Sequence, residues 1–168
     1  MSGLRWRLSL TFTGLVLLDR MVIARIRDTA AATQFRHEVG GVLVGSRRGP
    51  HFHIRDASLP QTSDRASPVR FWRRPDGHQE FVDSAWHKSK GHVIYLGEWH
   101  SHPEAVPTPS TIDRSSWAST VRTHGRPMVF VIVGTSGLWL TVEPSQSPSQ
   151  AWLIADEDRD GILFRRCF

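Results

Sequence analysis

The segment Gly97-Glu98-Trp99-His100-Ser101-His102-Pro103, followed by Pro109-Ser110-Thr111-Ile112-Asp113, constrains this chain more than any other. As a pattern it reads His-x-His, seven residues, Ser, two residues, Asp. The run 92–99 carries Val93, Ile94, Tyr95 and Leu96 and is expected to be a strand. Side chains alternate faces along a strand, so His100 and His102 point the same way. Pro103 cannot donate to a sheet ladder and ends the strand. Pro107 and Pro109 lie in the loop that returns the chain. Ser110 then opens a Ser-x-x-Asp helix start of the capping-box kind. Asp113 falls in the first helical turn, facing back toward the two histidines.

Two imidazoles and one carboxylate form an N/N/O donor set that suits zinc, and three protein ligands leave a fourth position open to water. Zinc lowers the pKa of bound water from about 15.7 to about 7, which makes a nucleophile at neutral pH. Attack on a carbonyl then needs a general base and a donor for the oxyanion. Ser110 is a candidate donor, although a helix cap is its plain structural role. For the base, spacing leaves Glu38, Glu98 and Glu104 open, and Glu98 shares strand parity with both histidines. The whole pattern matters here. With nine His in 168 residues, an isolated His-x-His arises about half a time by chance, and adding the Ser and the Asp lowers this to roughly a few in a thousand. The chain supplies such an isolated pair, His51-Phe52-His53, with no Ser-x-x-Asp after it. That pair is not expected to bind metal.

These residues resemble the JAMM (MPN+) metallopeptidases, which carry His-x-His-Pro, then Ser-x-x-Asp, and a distant upstream Glu. The segment Glu38-Val39-Gly40-Gly41-Val42-Leu43-Val44-Gly45 is similar to the surroundings of that Glu. The resemblance runs from Glu38 to about Gly134. It implies a JAB/MPN fold and a Zn2+ cofactor held by His100, His102 and Asp113. It implies Glu38 as general base and Ser110 as the residue that steadies the tetrahedral intermediate. Glu98 then becomes a partner for the outer N–H of a ligating imidazole. Members of the family mostly cleave after the glycine tail of ubiquitin or ubiquitin-like proteins. A thin extended backbone of that kind threads a narrow groove by adding a strand to a sheet edge. The run 95–104, with Pro-x-Pro-Ser and Trp117 after it, is most similar to small bacterial JAMM proteins of CBASS-type anti-phage operons. That implies a ubiquitin-like or conjugated protein tail as substrate, with a CD-NTase and its activating and conjugating enzyme as partners. A JAMM peptidase trimming a sulfur-carrier protein or its cysteine adduct would share every one of these residues. A non-catalytic MPN scaffold would lack ligands, and none is missing here.

At 168 residues the chain is expected to form one domain over 1–168, with room for a sizeable core. Its 39% apolar content and seven Trp exclude a disordered chain. The single cysteine, Cys167, excludes an internal disulfide and a Cys-rich zinc site and fits a reducing cytoplasm. A net charge of +5 invites a nucleic-acid reading, but the basic residues are dispersed among 16 acids without a basic run. Nucleic acid is therefore not an expected partner, and the charge fits solubility and attraction to an acidic protein. No stretch is long and apolar enough to span a membrane. Arg5 and Arg7 precede an apolar run in the manner of a signal peptide, but Ser9, Thr11 and Thr13 interrupt it. Leu8, Leu10 and Phe12 alternate instead as an opening strand.

Leu15, Leu18, Val22 and Ile26 fall at helical spacing and predict a helix over 15–32. Strands are expected over 37–46 and 51–57 around a turn at 47–50, then a polar loop over 59–68 and a short strand over 69–72. Arg70, Trp72 and Arg73 of that region are candidate substrate contacts, with edge-strand cover as the alternative. A helix from Gly77 to about Lys90 should bury Phe81, Val82, Ala85 and Trp86. A second, over 111–122, should bury Ile112, Trp117 and Val121. The run 127–134 reads as a central strand with a hairpin partner over 138–142. A Ser/Pro loop over 143–150 leads to terminal strands over 151–155 and 162–164, split by an acidic turn. Gly40 and Gly41 mark a bulge or a close backbone approach, which beside Glu38 would admit a substrate backbone. The fold class is mixed α/β of an α+β-like kind, a curved sheet with helices packed outside.

Overall fold

The computed structural model describes residues 14–144 and 151–166. The expected opening strand at Leu8, Leu10 and Phe12 lies outside them, as do Cys167 and most of the Ser/Pro loop. In chain order the described elements are β1 (Leu15–Asp19), α1 (Arg20–Ala32), β2 (Gly40–Arg48), β3 (His51–Ala57), β4 (Arg65–Ser67) and β5 (Arg70–Trp72). Then come α2 (His78–Lys88), β6 (Ile94–Ser101), α3 (Thr111–His124), β7 (Met128–Val133), β8 (Leu138–Glu143), β9 (Leu153–Glu157) and β10 (Gly161–Arg165). Eight strands form one curved, half-barrel sheet in the order β8-β7-β6-β2-β3-β1-β10-β9, while β4 and β5 pair apart from it. β6 runs parallel to β7 and β1 parallel to β3; β2 is antiparallel to β3 and to β6.

β7 shows why the sheet sits where it does. Its sequence, Met-Val-Phe-Val-Ile-Val, is apolar at every position, and every position is buried. A strand reads this way when both of its faces are covered. Val129, Val131 and Val133 join the larger core with Val22, Ile23, Ile26 and Ala30 of α1. Met128, Phe130 and Ile132 belong to a second cluster with Trp117 of α3 and Trp139 of β8. Trp117 stacks against both Phe130 and Trp139, with ring centroids 4.7 and 5.5 Å away. Helices therefore flank the sheet on both faces, and α3 is anchored to the face that carries His100.

Several elements depart from the expectations drawn from sequence. The segment 15–19 is a strand, not the first turns of a helix. Val16 and Leu18 are buried in alternation, and β1 fills the gap between β3 and β10. The non-local pairing overrides the helical spacing of Leu15 and Leu18, and the helix itself begins at Arg20, with Val22 and Ile26 on its buried face. The polar loop contains β4, which pairs with β5 across Pro68 and Val69. Along α2 the fully buried residue is His78, while Trp86 is 48% exposed, so the expected apolar stripe is only half covered. Ile112 is exposed as well, because it faces a surface groove and not the core. β9 extends into the acidic segment, since Asp156 and Glu157 pair with Leu163 and Ile162 of β10.

The two glycines beside Glu38 do mark close approaches, but to the chain's own backbone. A Cβ on Gly40 would lie 2.4 Å from the Trp99 carbonyl oxygen, and one on Gly41 would lie 2.3 Å from that of Ser58. A larger residue at position 40 would push β2 away from β6, and one at position 41 would push it away from Ser58 after β3.

Candidate metal centre

Strand register decides which acidic residue meets the histidines. β2 and β6 pair with Gly40 opposite His100 and Gly41 opposite Trp99. Two residues beyond Gly40 in the same antiparallel sense, Glu38 comes opposite His102. Bonds just past the ladder hold that extension. Ser101 N–H donates to the Val39 carbonyl at 2.8 Å, and Val39 N–H donates to Ser101 Oγ at 3.0 Å. Ser101, the residue between the two histidines, thus ties the backbone next to Glu38, a role its spacing did not announce. His102 follows the last residue of β6, yet its N–H still donates to the Val133 carbonyl at 2.9 Å. On the other side of Glu38, its own N–H donates to the Ser67 carbonyl of β4 at 2.9 Å.

The two imidazoles converge as strand parity requires, with Nε2 atoms 3.1 Å apart. Asp113 reaches both, with Oδ1 3.2 Å from His100 Nε2 and Oδ2 3.5 Å from His102 Nε2. Glu38 Oε1 lies 3.5 Å from His102 Nε2. Glu38, His100 and His102 are buried, and their donor atoms all lie within 4.8 Å of one another, so these three could hold a metal ion. Two ligands each 2.0–2.1 Å from a tetrahedral zinc stand about 3.3 Å apart. The contacts linking His100, His102 and Asp113, at 3.1 to 3.5 Å, match that edge length. The donor chemistry also fits, because one buried carboxylate, Glu38, and one partly buried carboxylate, Asp113, against two imidazoles call for a cation.

The electrostatics follow from that crowding. Burial pushes the Glu38 carboxyl above its usual range, and the neighbouring His100 and His102 only partly pull it back. Burial acts on Asp113 in the same direction, but hydrogen bonds from His100, His102 and Ser110 outweigh it and hold the carboxyl well below the usual range. For His102 burial pushes downward, and Asp113, Glu38 and Glu104 together overcome it, so the net shift is upward.

Ser110 caps α3. Its Oγ accepts the Asp113 N–H at 3.2 Å, and its own N–H donates to Asp113 Oδ2 at 2.7 Å. The hydroxyl also donates to Asp113 Oδ2 at 2.7 Å, which orients the carboxylate toward the histidines. Gly125, in the left-handed conformation with φ 61°, closes the other end of the helix. Glu98 is not where an outer partner of the imidazoles would be. Its Oε1 accepts from Arg73 at 2.6 Å and from the Tyr95 hydroxyl at 2.9 Å. The carboxylate behind His102 is Glu104, whose Oε2 is 3.8 Å from Nδ1.

The centre opens into a groove of about 270 Å³. β5 and its flanks (Val69, Arg70, Trp72, Arg73) form one wall, α3 (Ile112, Ser116, Thr120) the other, and Glu98 and His100 of β6 the floor. The candidate contacts Arg70, Trp72 and Arg73 therefore do border the site.

The family described as prokaryotic homologs of the JAB domain matches residues 19–154. The chain belongs to the JAB/MPN domain family. Within that family it is related to proteins named CD-NTase/cGAS isopeptidase. One from Vibrio cholerae is 38% identical over 126 residues, covering 75% of this chain and 80% of the relative. One from Pseudomonas aeruginosa is 36% identical over 132 residues, covering 77% and 84%. The fold is similar to that of the solution structure of a Desulfitobacterium hafniense protein, with a TM-score of 0.51 at 20% identity over 76% of this chain and 88% of that one. Among the described residues of this JAB protein, no helix is long and apolar enough to cross a membrane.

Proposed function

We propose that this JAB protein is a zinc-dependent isopeptidase that hydrolyses the bond after the C-terminal tail of a ubiquitin-like protein, or of a protein attached by ubiquitin-like chemistry. A CD-NTase is the substrate to test first, given what the relatives are named for. The observation that carries the reading is the convergence of Glu38, His100, His102 and Asp113 from β2, β6 and α3 on one point at the end of a groove.

His100, His102 and Asp113 would hold the zinc. When bound, the ion supplies a Lewis acid that acidifies water and polarises a carbonyl. Glu38 takes the proton from the attacking water at its carboxylate and hands it to the leaving amine. Without the ion, burial raises this carboxyl toward the working pH, the direction that favours a proton carrier. The Ser110 hydroxyl turns about one bond and donates to the oxyanion, while Ser110 N–H keeps Asp113 in place. The walls formed by β5 and α3 exclude water and hold an extended tail along β6.

Mass spectrometry of cells carrying Glu38→Ala tests this. A protein joined through its C-terminus to lysines should accumulate in the variant and not in wild type. Equal conjugate profiles in the two strains would count against deconjugation.

A further inference from the structure

Three buried polar side chains have no part in that chemistry. Ser58 follows β3, Asp64 precedes β4, and His78 begins α2. Ser58 and His78 are each 1% exposed. His78 Nδ1 lies 2.6 Å from Ser58 Oγ, and His78 Nε2 lies 3.0 Å from Asp64 Oδ2. The order imitates a serine nucleophile with its base, but Ser58 is out of reach of any substrate carbonyl. Its Oγ already accepts the Val42 N–H, at 2.8 Å.

The Asp64 carboxylate sets the direction at the other end, because it can only accept. His78 Nε2–H therefore donates to Asp64, and the other ring nitrogen, Nδ1, meets the Ser58 hydroxyl. Asp64 also accepts the Gln61 N–H on Oδ2 and the Arg74 N–H on Oδ1, each at 2.7 Å. One carboxylate thus ties together the two ends of the segment that contains β4 and β5. At the other end, Ser58 is joined to both strands of the metal centre. Its N–H donates to the Val42 carbonyl of β2 at 2.9 Å, and its carbonyl accepts Trp99 Nε1–H of β6 at 2.9 Å. Trp99 adjoins His100, and the β4 carbonyl of Ser67 holds the Glu38 N–H.

We propose that the Ser58–His78–Asp64 chain is a positioning device: it fixes the β4–β5 hairpin against β2 and β6, so that Glu38 and the groove wall keep their places beside the metal centre. The geometric part stands alone, and its catalytic consequence rests on the isopeptidase reading. Asp64→Asn offers one good acceptor where two backbone N–H groups need one each, and turns an NH2 toward the other. His78→Phe fills the space of the ring and cuts both of its bonds.

Native-state amide hydrogen exchange on the full, zinc-loaded chain is the test. In both variants the amides of Glu38, Gln61 and Arg74 should lose protection about tenfold or more, while those of β7 stay within about twofold of wild type. Zinc per chain should not change, because the proposed ligands are carried by β6 and α3. Turnover of a lysine isopeptide probe with a Gly-Gly tail should fall about tenfold per zinc-loaded molecule. Unchanged exchange at Glu38 and Arg74 overturns the proposal, and so does an equal loss throughout β7, which would make the chain a general stability element. If wild type leaves the probe intact, the isopeptidase reading suffers, while the exchange result still decides whether the hairpin is held this way.

Discussion

The chain contains two His-x-His pairs on strands of one sheet, and they end differently. His100 and His102 lie at the end of β6, buried, with Asp113 arriving from α3 and Glu38 from β2. His51 and His53 lie on β3 with the same parity. His51 Nδ1 accepts the Leu15 N–H of β1 at 3.2 Å, and His53 pairs with Asp19 through a 2.6 Å contact. The His53 side chain is 37% exposed. Parity puts two imidazoles on one face in both places. A candidate metal centre arises only where other elements deliver carboxylates to the same point and burial keeps water from replacing them. The β3 pair has one acidic neighbour and open solvent, so its imidazoles are used separately, as ordinary links between β3 and β1.

The strongest test of this contrast is zinc content. His100→Ala and Asp113→Ala should each take purified protein from about one zinc per chain to nearly none, because two remaining ligands do not hold the ion. Hydrolysis of a conjugated substrate should disappear with it. The double variant His51→Ala with His53→Ala should retain its zinc. Elemental analysis decides this, and zinc loss in the β3 variant would erase the distinction between the pairs. Glu38→Ala sharpens the picture inside the β6 site. It should reduce turnover by about 10²–10⁴-fold, the range for a proton-transferring side chain, with zinc still bound. Zinc loss there would move Glu38 from base to ligand.

The legible part of this site was its local part. His100-x-His102 follows from a two-residue period, and Ser110 with Asp113 from a capping box, both visible within a few residues. Glu38 was readable only by resemblance, because its position depends on the β2–β6 register and on Ser101 holding Val39. Glu98 looked better placed by parity. It shares the face of His100, but Arg73 and Tyr95 claim its carboxylate, and Arg73 arrives from a segment whose course no short pattern reveals. The same cause explains the misread at 15–19, where a strand is stabilised by partners 36 and more residues away in β3 and in β10. The Ser58–His78–Asp64 chain had no local signature at all. The central strand β7 was plain, since an unbroken apolar run has few other uses.

Removing the metal gives a smaller effect than breaking a ligand set. Zinc that binds only the folded state stabilises it by mass action, about 2.7 kcal/mol at a hundredfold excess over Kd. For a domain of this size that is about 5–10 °C in Tm. Chelation should therefore lower the melting temperature of wild type by that amount and leave His100→Ala unmoved, as a thermal scan with and without chelator would show. A chelator effect of equal size in both proteins would place the stabilising ion somewhere other than β6.

The smallest effect belongs to the β3 pair itself. His53→Ala removes the contact with Asp19, where β1 passes into α1. The pair is about one-third exposed on each side, 37% and 32%, so solvent screens it and its loss should cost about 0.2–1 kcal/mol. That corresponds to a fall in Tm of no more than about 4 °C, with zinc content and turnover unchanged. The change should also be insensitive to chelator history, since no ion is involved. If His53→Ala instead lowered turnover as His100→Ala does, the β1–β3 side of the sheet would have to be part of the reacting centre, and burial with converging carboxylates would no longer be what separates the two pairs.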